Sequence, residues 1–383
     1  MKATSPLSSA LRLARSLAFT PALLPPPDGR PRPTRLAIGD PQAPLDRFLG
    51  ALASRDLLDG RGLLRDHVLL VSAGDHFDWG DRSTRAQAAD DALALLAWLA
   101  AHPPDQAVIL LGNHDLARVG ELRALSQPAY EAARALASAA YFTPDPTGDP
   151  ERAFLAQYPM FPTAECAARD LSAFRVEQRI MVERLLRQGR FQAAFAAAPD
   201  LLLVHAGVTH HELETLGVPP SERHRAETVA EALNGALARA VEAQGAAPLA
   251  IPGLHQPGTA AEGEGGGAFF HRPADPALGA LASFSGPTRR RYDPRHLPAG
   301  LTQAIGHVRD PKCRALMPAW SDEPPAQDGV LRTLRTDGRR VAYQRGVHAA
   351  EPGQAALWFL DAGMAHVSPD RVPLLDLGAR AAL

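Results

Sequence analysis

The chain has 383 residues, of which 46% are hydrophobic and 21% charged, and its net charge at pH 7 is −2. This composition is that of a globular protein with an ample core, and it gives no broad attraction to nucleic acid or to an anionic membrane surface. The two cysteines, Cys166 and Cys313, have no CxxC-type partner, so we expect neither a disulfide framework nor a zinc finger, and a cytoplasmic location. No apolar run approaches the roughly 20 residues that a membrane helix needs, so no membrane span is expected.

The first 34 residues differ in composition from the rest of the chain. Residues 1–19 combine spaced arginines with small residues and lack a compact apolar segment, which favours an arm or a short helix over a signal peptide. A proline-rich stretch over residues 25–33 follows and predicts an extended linker. We therefore expect an N-terminal arm and linker over residues 1–34 and one domain over residues 35–383.

Strands and helices alternate from residue 36 onward. Three apolar runs begin near residues 36, 69 and 108 and end on Asp40, Asp75 and Asn113. Apolar residues at helical spacing lie between them, at residues 45–52 and 87–101. This βαβαβ order predicts a parallel or mixed sheet whose faces are covered by helices.

The next segment, about residues 116–198, is Ala-rich and mostly helical in pattern. It is too long for a loop, so it predicts a helical insertion beside the sheet. A fourth apolar run then ends on His205, and a helix is expected around residues 222–243.

Residues 244–300 are rich in glycine and proline, which predicts an irregular excursion from the domain. A fifth apolar run follows and ends on His307. Strand-like segments over residues 339–344 and 356–361 are typical of a second, antiparallel set of strands.

Five predicted strands thus end on residues that can bind metal ions. The carboxyl ends of parallel strands meet at one edge of a sheet, where ligand sites of open α/β sheets form. Asp75 is expected to bridge two divalent ions, with Asp40 completing one site and Asn113 and His205 the other. His307 would add a ligand to one of them. The two ions would convert water into hydroxide near neutral pH, which suits hydrolysis of a phosphate ester.

The residue after Asn113 is expected to take part in the chemistry. His114 points away from the ligands and is the natural general acid for the leaving oxygen. Asp78, three residues after Asp75, can fix the tautomer of His114 and raise its basicity. His76 lies in the same segment and is expected to be structural.

At these residues the chain resembles the calcineurin-like metallophosphoesterases, and within them the phosphoprotein phosphatase and symmetrical diadenosine tetraphosphatase branch. The resemblance rests on five motifs and on a Leu-Asp-x-Gly strand near the end of the chain. The motifs are Gly39-Asp40-Pro41-Gln42, Gly74-Asp75-His76-Phe77-Asp78, Gly112-Asn113-His114-Asp115, His205-Ala206-Gly207 and Gly306-His307, and the last strand includes Leu360-Asp361-Ala362-Gly363. The resemblance implies a four-layer α/β/β/α sandwich, here with a helical insertion, and a binuclear metal centre.

The chain departs from the family's motifs at two positions. Gln42 stands where the family usually has a metal-binding histidine, so we expect the metal beside it to be held more loosely. Trp79 stands where many relatives have a phosphate-binding arginine, and an indole cannot offer a guanidinium's bidentate contact. Arg82 and Arg309 are the candidates to replace that arginine, while Trp79 can stack on a base, a sugar or an aromatic leaving group.

The resemblance leaves the substrate and the metals open. The expected substrate is a small-molecule phosphate ester or anhydride such as a nucleoside polyphosphate, with a phosphoprotein as the alternative. The diesterases of this family tend to carry Gly-His-x-His at the last motif. Here Arg309 stands two residues after His307, so the resemblance disfavours a phosphodiester substrate. Manganese is the expected metal, with iron, zinc or cobalt as alternatives. A non-catalytic binding or scaffold member is the alternative of another class, motivated by Gln42 and Trp79.

Overall fold

The computed structural model describes residues 5–19, 24–143, 147–278, 289–321 and 325–383. Parts of three segments singled out in the sequence therefore lie outside the described residues. They are residues 1–4 and 20–23 of the expected arm, 144–146 of the helical insertion and 279–288 of the Gly/Pro-rich excursion.

The first sheet has six strands in the order β16-β15-β1-β2-β3-β4. They are β1 (Thr34–Ile38), β2 (Val68–Ser72), β3 (Ala107–Leu110), β4 (Phe191–Gln192), β15 (Leu374–Asp376) and β16 (Ala381–Ala382). Strands β1 to β4 are parallel, whereas β15 and β16 add an antiparallel edge. The parallel strands β2 and β3 are buried at every residue, as expected for strands covered on both faces.

The second sheet also has six strands, in the order β13-β12-β14-β11-β6-β5. They are β5 (Ala194–Ala198), β6 (Leu201–Val204), β11 (Thr302–Ile305), β12 (Arg332–Thr336), β13 (Val341–Arg345) and β14 (Ala355–Phe359). Strands β6, β11 and β14 are parallel to one another, and the other three pair antiparallel. The end of the chain is therefore not purely antiparallel, because β14 pairs with β11 on one side and with β12 on the other.

The helices and the short strands lie outside these sheets. The helices are α1 (Pro6–Ala18), α2 (Leu45–Ala53), α3 (Arg85–Ala100), α4 (Asn113–Ala117), α5 (Gln127–Phe142), α6 (Asp149–Gln157), α7 (Val176–Arg187), α8 (His210–Thr215), α9 (Ala226–Ala243) and α10 (Asp310–Leu316), with a π-helical turn at Cys166–Asp170. Two small pairs of strands form in the Gly/Pro-rich excursion: β7 (His255–Gln256) with β8 (Gly266–Gly267), and β9 (Arg272–Pro273) with β10 (Arg291–Tyr292). None of the helices within the described ranges is long and apolar enough to span a membrane.

The two large sheets pack face to face with helices outside them. Ala37 and Val71 of the first sheet share one buried cluster with Leu203 and Trp358 of the second. Side chains one position along, such as Leu70, point to the opposite faces and pack with the helices. The protein is therefore an α/β/β/α sandwich, which confirms the expected fold class.

The N-terminal segment is a helix packed on the domain. Ala10 and Ala14 of α1 are fully buried, and the helix contacts α2 and α3. Ser5 caps its first turn, where its Oγ accepts a hydrogen bond from the Ser8 amide at 3.2 Å. At Gly62 an added Cβ would overlap the backbone of Ala10, so the contact depends on a glycine at that position.

The helical insertion ends earlier than the sequence predicts. Helix α7 stops at Arg187, and residues 191–198, expected at the end of the insertion, form β4 and β5. The alanines of β5 favour a helix by themselves, and pairing with β6 overrides that preference. Asn234 of α9 contributes by accepting hydrogen bonds from the Ala193 and Ala194 amides at 2.7 and 3.2 Å.

Candidate metal and catalytic site

The five strand-end residues meet at one edge of the sandwich. The Asp40, Asp75, His205 and His307 side chains are buried, and Asn113 is half-buried. His205 Nε2 lies 3.4 Å from Asp75 Oδ1 and 3.2 Å from Asn113 Oδ1. The His307 amide donates to Asp40 Oδ2 at 2.8 Å. The structure thus brings all five predicted ligands together, with Asp75 in the middle.

Hydrogen bonds to the backbone orient both histidine rings. His205 Nδ1 donates to the Ala73 carbonyl at 2.8 Å, which leaves Nε2 facing the oxygens of Asp75 and Asn113. His307 Nε2 donates to the Phe270 carbonyl at 2.5 Å, which leaves Nδ1 available as a ligand. One ligand atom from each of Asp75, His205 and His307 lies within 4.8 Å of the others. Backbone bonds that fix the non-ligating nitrogen are typical of metal-binding histidines.

The charges around His205 favour a cation at this point. Burial disfavours the charged ring, but the Asp75 carboxylate outweighs it and raises the pKa of His205. Burial raises the pKa of the Asp75 carboxyl, but the charges of His205, His114 and His307 outweigh it and lower the pKa. A metal ion among these atoms would replace the proton that the group otherwise attracts.

Asp40 lies near Asp75 and shares a cleft with Asp361, an acidic residue to which the sequence assigned no role. Asp40 Oδ1 is buried and has no hydrogen-bond partner among the described residues. Burial, followed by the charges of Asp361 and Asp75, raises the pKa of Asp40 well above its usual value. An unpaired buried carboxylate is costly unless a cation compensates it. The residues present therefore fit a second metal ion here.

The backbone of the site is strained at three of its residues. Asp75, Asp78 and His307 have φ values of 55°, 62° and 66°, in the left-handed region that non-glycine residues rarely adopt. Such residues collect at functional sites, where the surrounding structure holds them. Gly306 has no room for a side chain, since an added Cβ would overlap Asp40 Oδ1.

His114, Asp78 and Arg118 form a hydrogen-bonded group, here called the acid triad. His114 Nδ1 lies 2.9 Å from Asp78 Oδ2, which also accepts from Arg118 Nη1 at 2.6 Å. Asp78 Oδ1 accepts from the Ala173 amide at 3.2 Å, so the helical insertion contributes to the triad. Burial disfavours charge on His114, but Asp75 and Asp78 raise its pKa to about 9. In the metal-free protein these charges favour the protonated ring, the form that can act as an acid.

Sequence reasoning missed Arg118. Its side chain is fully buried; Nε donates to Gln178 Oε1 at 3.1 Å and Nη1 to the His114 carbonyl at 3.1 Å. The guanidinium also lies 4.5 Å from the centre of the Phe77 ring. Arg118 is four residues after His114, one helical turn, and that spacing was the only indication in the sequence.

Asp115 and His76 hold the loop that presents Asp75. Asp115 accepts hydrogen bonds from the amides of Asp75, His76 and Gly112 at 2.8 to 3.1 Å. His76 bonds Asp115 through Nδ1 at 3.1 Å and Ser72 Oγ through Nε2 at 2.9 Å. His76 thus has the structural environment that its sequence position indicates.

A cleft of about 370 Å³ opens beside Asp40 and contains three of the other candidates. Gln42 Nε2 donates to the Phe77 carbonyl at 3.0 Å, which leaves its carbonyl oxygen as the ligating atom. Arg309 Nη2 is held by both oxygens of Asp328 at 2.8 and 2.9 Å. Trp79 lines the same cleft, and its ring packs against the cluster of Ala88, Ala89 and Ala173.

Arg82 is not brought to this cleft. Its side chain is exposed, and its guanidinium lies 5.5 Å from the centre of the Phe142 ring in α5. It does not appear among the residues that line the cleft. Of the two arginine candidates, the structure places only Arg309 beside the predicted ligands.

A third arginine reaches the site from the Gly/Pro-rich excursion. Arg272 is half-buried, and its charge, after burial, is the main influence that lowers the pKa of His307. Burial and the neighbouring Arg291 lower the pKa of Arg272 itself to about 10. The structure gives its guanidinium a contact with the Phe270 ring at 5.1 Å and, among the described residues, no hydrogen bond. Sequence reasoning left Arg272 unassigned because nothing in that segment indicated where it folds.

The α/β/β/α sandwich thus carries carboxylate, amide and imidazole groups at its strand ends, a donor set that suits divalent metal ions. Residues 34–216 match the family model of the calcineurin-like phosphoesterases. The family hydrolyses phosphate esters with divalent metals. The match includes Asp40, Asp75, Asn113 and His205, whereas His307 lies beyond it. Neither the curated proteins nor the solved structures that were compared gave a significant match.

Proposed function

We propose that the protein is a binuclear metal-dependent phosphohydrolase that cleaves a phosphate ester or phosphoanhydride. The observation that supports this most directly is the convergence of five strand-end ligands around Asp75, with oriented histidines on one side and an unpaired carboxylate oxygen on the other. Asp75, Asn113, His205 and His307 would hold one ion. Asp40 and Asp75, with the weak ligand Gln42, would hold the other.

Divalent metals at these positions would acidify water and neutralise phosphoryl oxygens, as hydrolysis of a phosphate ester at neutral pH requires. His114 supplies the proton that the departing oxygen needs. Its Nδ1 is bound to Asp78, so Nε2 carries the proton that is given up as the phosphorus–oxygen bond breaks. Arg118 keeps Asp78 ionised and in place, and the guanidinium of Arg118 in turn donates a hydrogen bond to Gln178.

Two arginines flank the ligands and are suited to bind phosphate. Arg309 lines the cleft on the Asp40 side, where its pairing with Asp328 fixes its position. Arg272 lies on the His307 side, beside Arg291 on the paired strand and near Lys312. Burial and these two arginines lower the pKa of Lys312, and the charge of Glu264 offsets part of the repulsion among the three cations.

This distribution of positive charge favours a substrate with more than one phosphate. With one phosphoryl group at the metals, Arg272 on the His307 side would be the cation that meets a further phosphate. Trp79, on the wall of the cleft, offers a surface on which a base can stack. We therefore propose a nucleoside polyphosphate as the substrate class. The free thiols of Cys166 and Cys313 support a reducing cytoplasm as the location.

A hydrolysis panel on the purified protein tests this proposal. The protein is assayed as isolated, after chelation and after manganese is added back, on an aryl phosphomonoester, an aryl phosphodiester, diadenosine tetraphosphate and a phosphopeptide. We expect manganese to restore turnover, with diadenosine tetraphosphate as the fastest substrate. A faster phosphopeptide would assign a phosphoprotein phosphatase instead. No turnover and no bound metal would contradict the enzyme and support the non-catalytic binding module.

A further inference from the structure

We propose that Asp361 is a ligand of the metal ion beside Asp40 and supplies the donor that Gln42, in place of a histidine, provides only weakly. The inference deepens the proposed function, since it assumes that two metal ions bind at the strand ends. Asp361 lies outside the segment that matches the family model, which ends at residue 216.

The strand order places Asp361 at the same edge as the other ligands. Strand β14 is parallel to β11, with Phe359 paired to Ile305. His307 follows Ile305 by two residues, and Asp361 follows Phe359 by two residues. The Leu360 amide continues the pairing by donating to the Ile305 carbonyl at 2.6 Å. Asp361 therefore leaves its strand beside His307.

A close backbone approach then sets Asp361 next to Asp40. An added Cβ at Gly39 would overlap the Leu360 carbonyl oxygen and lie 2.9 Å from the Asp361 amide nitrogen. Gly39 and Leu360 are the residues directly before the two aspartates, so the loops after β1 and β14 touch where the carboxylates begin. Both aspartates line the same cleft, together with Gln42.

Neither carboxylate forms an ion pair among the described residues, although Arg332 lies near enough for its charge to act on Asp361. Asp40 is 4% exposed and Asp361 8% exposed. Asp361 Oδ1 accepts one hydrogen bond, from the Gly363 amide at 3.1 Å. The nearest guanidinium groups are engaged elsewhere: Arg332 donates to the Asp361 backbone carbonyl and Arg309 binds Asp328. Two buried carboxyl groups that face one cleft both stay ionised only when a cation lies between them.

The resulting donor set differs from that of the neighbouring ion. Asp40, Asp75, Asp361 and the Gln42 carbonyl provide oxygen only, whereas the ion beside His205 and His307 receives two imidazole nitrogens. An all-oxygen set suits a hard ion such as Mn²⁺ or Mg²⁺ better than Zn²⁺. The Asp40 side is therefore the position at which manganese is expected.

The test compares metal binding by the wild type and by Asp361→Asn. Asparagine keeps the shape of the side chain and an oxygen for the Gly363 amide, so only the charge is removed. Metal-stripped full-length proteins are titrated with Mn²⁺, and the bound metal is measured by elemental analysis and by calorimetry. We expect two Mn²⁺ per wild-type chain. In Asp361→Asn the second ion should bind at least about 10–100-fold more weakly, because loss of an outer-shell partner alone has that effect.

Two further variants complete the design. Gln42→His in the Asp361→Asn background should restore the second Mn²⁺, since an imidazole replaces the lost donor. Asp328→Asn, the matched control, removes a carboxylate near the same cleft and should retain two ions. The electron paramagnetic resonance spectrum should show coupling between two Mn²⁺ ions in the wild type and lose it in Asp361→Asn.

Asp361→Asn with two Mn²⁺ bound at wild-type affinity would overturn the inference and assign Asp361 to its turn alone. Melting temperatures of the metal-free proteins control for folding. Both metal-free proteins should melt cooperatively, so that weaker binding of the second ion by Asp361→Asn reflects the lost ligand and not unfolding of the variant. A wild type that binds two ions yet hydrolyses no phosphate would instead refute the proposed function and leave this assignment intact.

Discussion

The acid triad and the Asp40–Asp361 pair both neighbour Asp75, yet they are built differently. In the triad, both Asp78 oxygens accept hydrogen bonds, from His114, Arg118 and the Ala173 amide. In the pair, Asp40 Oδ1 has no partner within the part of the chain that the structure describes. The triad lowers the pKa of Asp78 against the effect of burial, whereas burial and mutual repulsion raise the pKa of Asp40.

The comparison shows that the chain positions its acid by protein hydrogen bonds, whereas the charge of the carboxylate pair has to be compensated by a bound cation. The acid is positioned by protein hydrogen bonds, so its geometry exists before any ligand binds. The Asp40–Asp361 pair is stable as two carboxylates only when a cation lies between them. Asp75 connects the acid triad to the metal ligands, because its Oδ1 accepts a hydrogen bond from the His114 amide at 2.9 Å and also faces the metal-ligand candidate His205.

The variant Asp75→Asn should have the largest effect, since it changes both sides at once. The bridging charge is lost, so neither ion should bind stoichiometrically. Turnover should fall by about 10³-fold or more, as several kcal/mol of transition-state stabilisation disappear. Metal analysis and the phosphatase assay on the same sample measure both. An active variant that retains both ions would contradict the role given to Asp75.

Replacement of His114 by asparagine should affect only the acid side. We expect kcat to fall by about 10²–10⁴-fold, the usual contribution of a positioned general acid, while the metal content stays unchanged. The loss should be smaller for a nitrophenyl ester than for a phenyl ester, because a weakly basic leaving group needs the proton less. An equal loss on both esters would show that His114 is not the acid.

The variant Asp78→Asn sharpens the same point through pH. Burial opposes the charged His114 ring, and Asp75 and Asp78 raise its pKa to about 9 in the metal-free protein, so kcat/KM of the metal-loaded enzyme should fall as pH rises through the pKa of the ring. Without the Asp78 charge the pKa of His114 falls, so the protonated ring and the activity should be lost at lower pH. The pH profile of the variant measures this directly. If the pH profile of Asp78→Asn coincides with that of the wild type, Asp78 does not control the pKa of the catalytic acid.

The smallest effect is expected for the arginines. The variant Arg272→Ala should raise KM about 10-fold, since a charge-assisted contact to phosphate contributes about 1.5–3 kcal/mol. Its matched control is Arg82→Ala, whose guanidinium lies over Phe142 outside the cleft and should leave KM unchanged. Steady-state kinetics on diadenosine tetraphosphate compares the two. A larger increase of KM in Arg82→Ala than in Arg272→Ala would instead indicate that Arg82 binds the phosphate.

Much of the site follows from the sequence because the ligands end apolar runs of a recognisable strand–helix alternation. Asp40, Asp75 and Asn113 could be placed at one edge without knowledge of the second sheet, and the short spacing from Asp75 to Asp78 places Asp78 near His114. Periodicity also predicted helix α9, whereas the four-layer sandwich was implied by the resemblance to the metallophosphoesterases.

Residues whose position depends on distant pairing could not be placed. Asp361 stands in a recognisable Leu-Asp-x-Gly segment, yet only the order β14-β11 and the contact with Gly39 show that it faces Asp40. Arg272 belongs to a segment without periodicity. Residues 191–198 were expected to be helical, and strand pairing across long sequence separations overrode that local preference.

The central claim is that the strand ends hold two metal ions on which hydrolysis depends. Its most direct test measures bound metal and turnover together while manganese is added back to chelated protein. The account predicts that turnover returns in step with binding and is complete at two ions per chain. Turnover that survives chelation with no metal bound, or full loading without any hydrolysis, would contradict it.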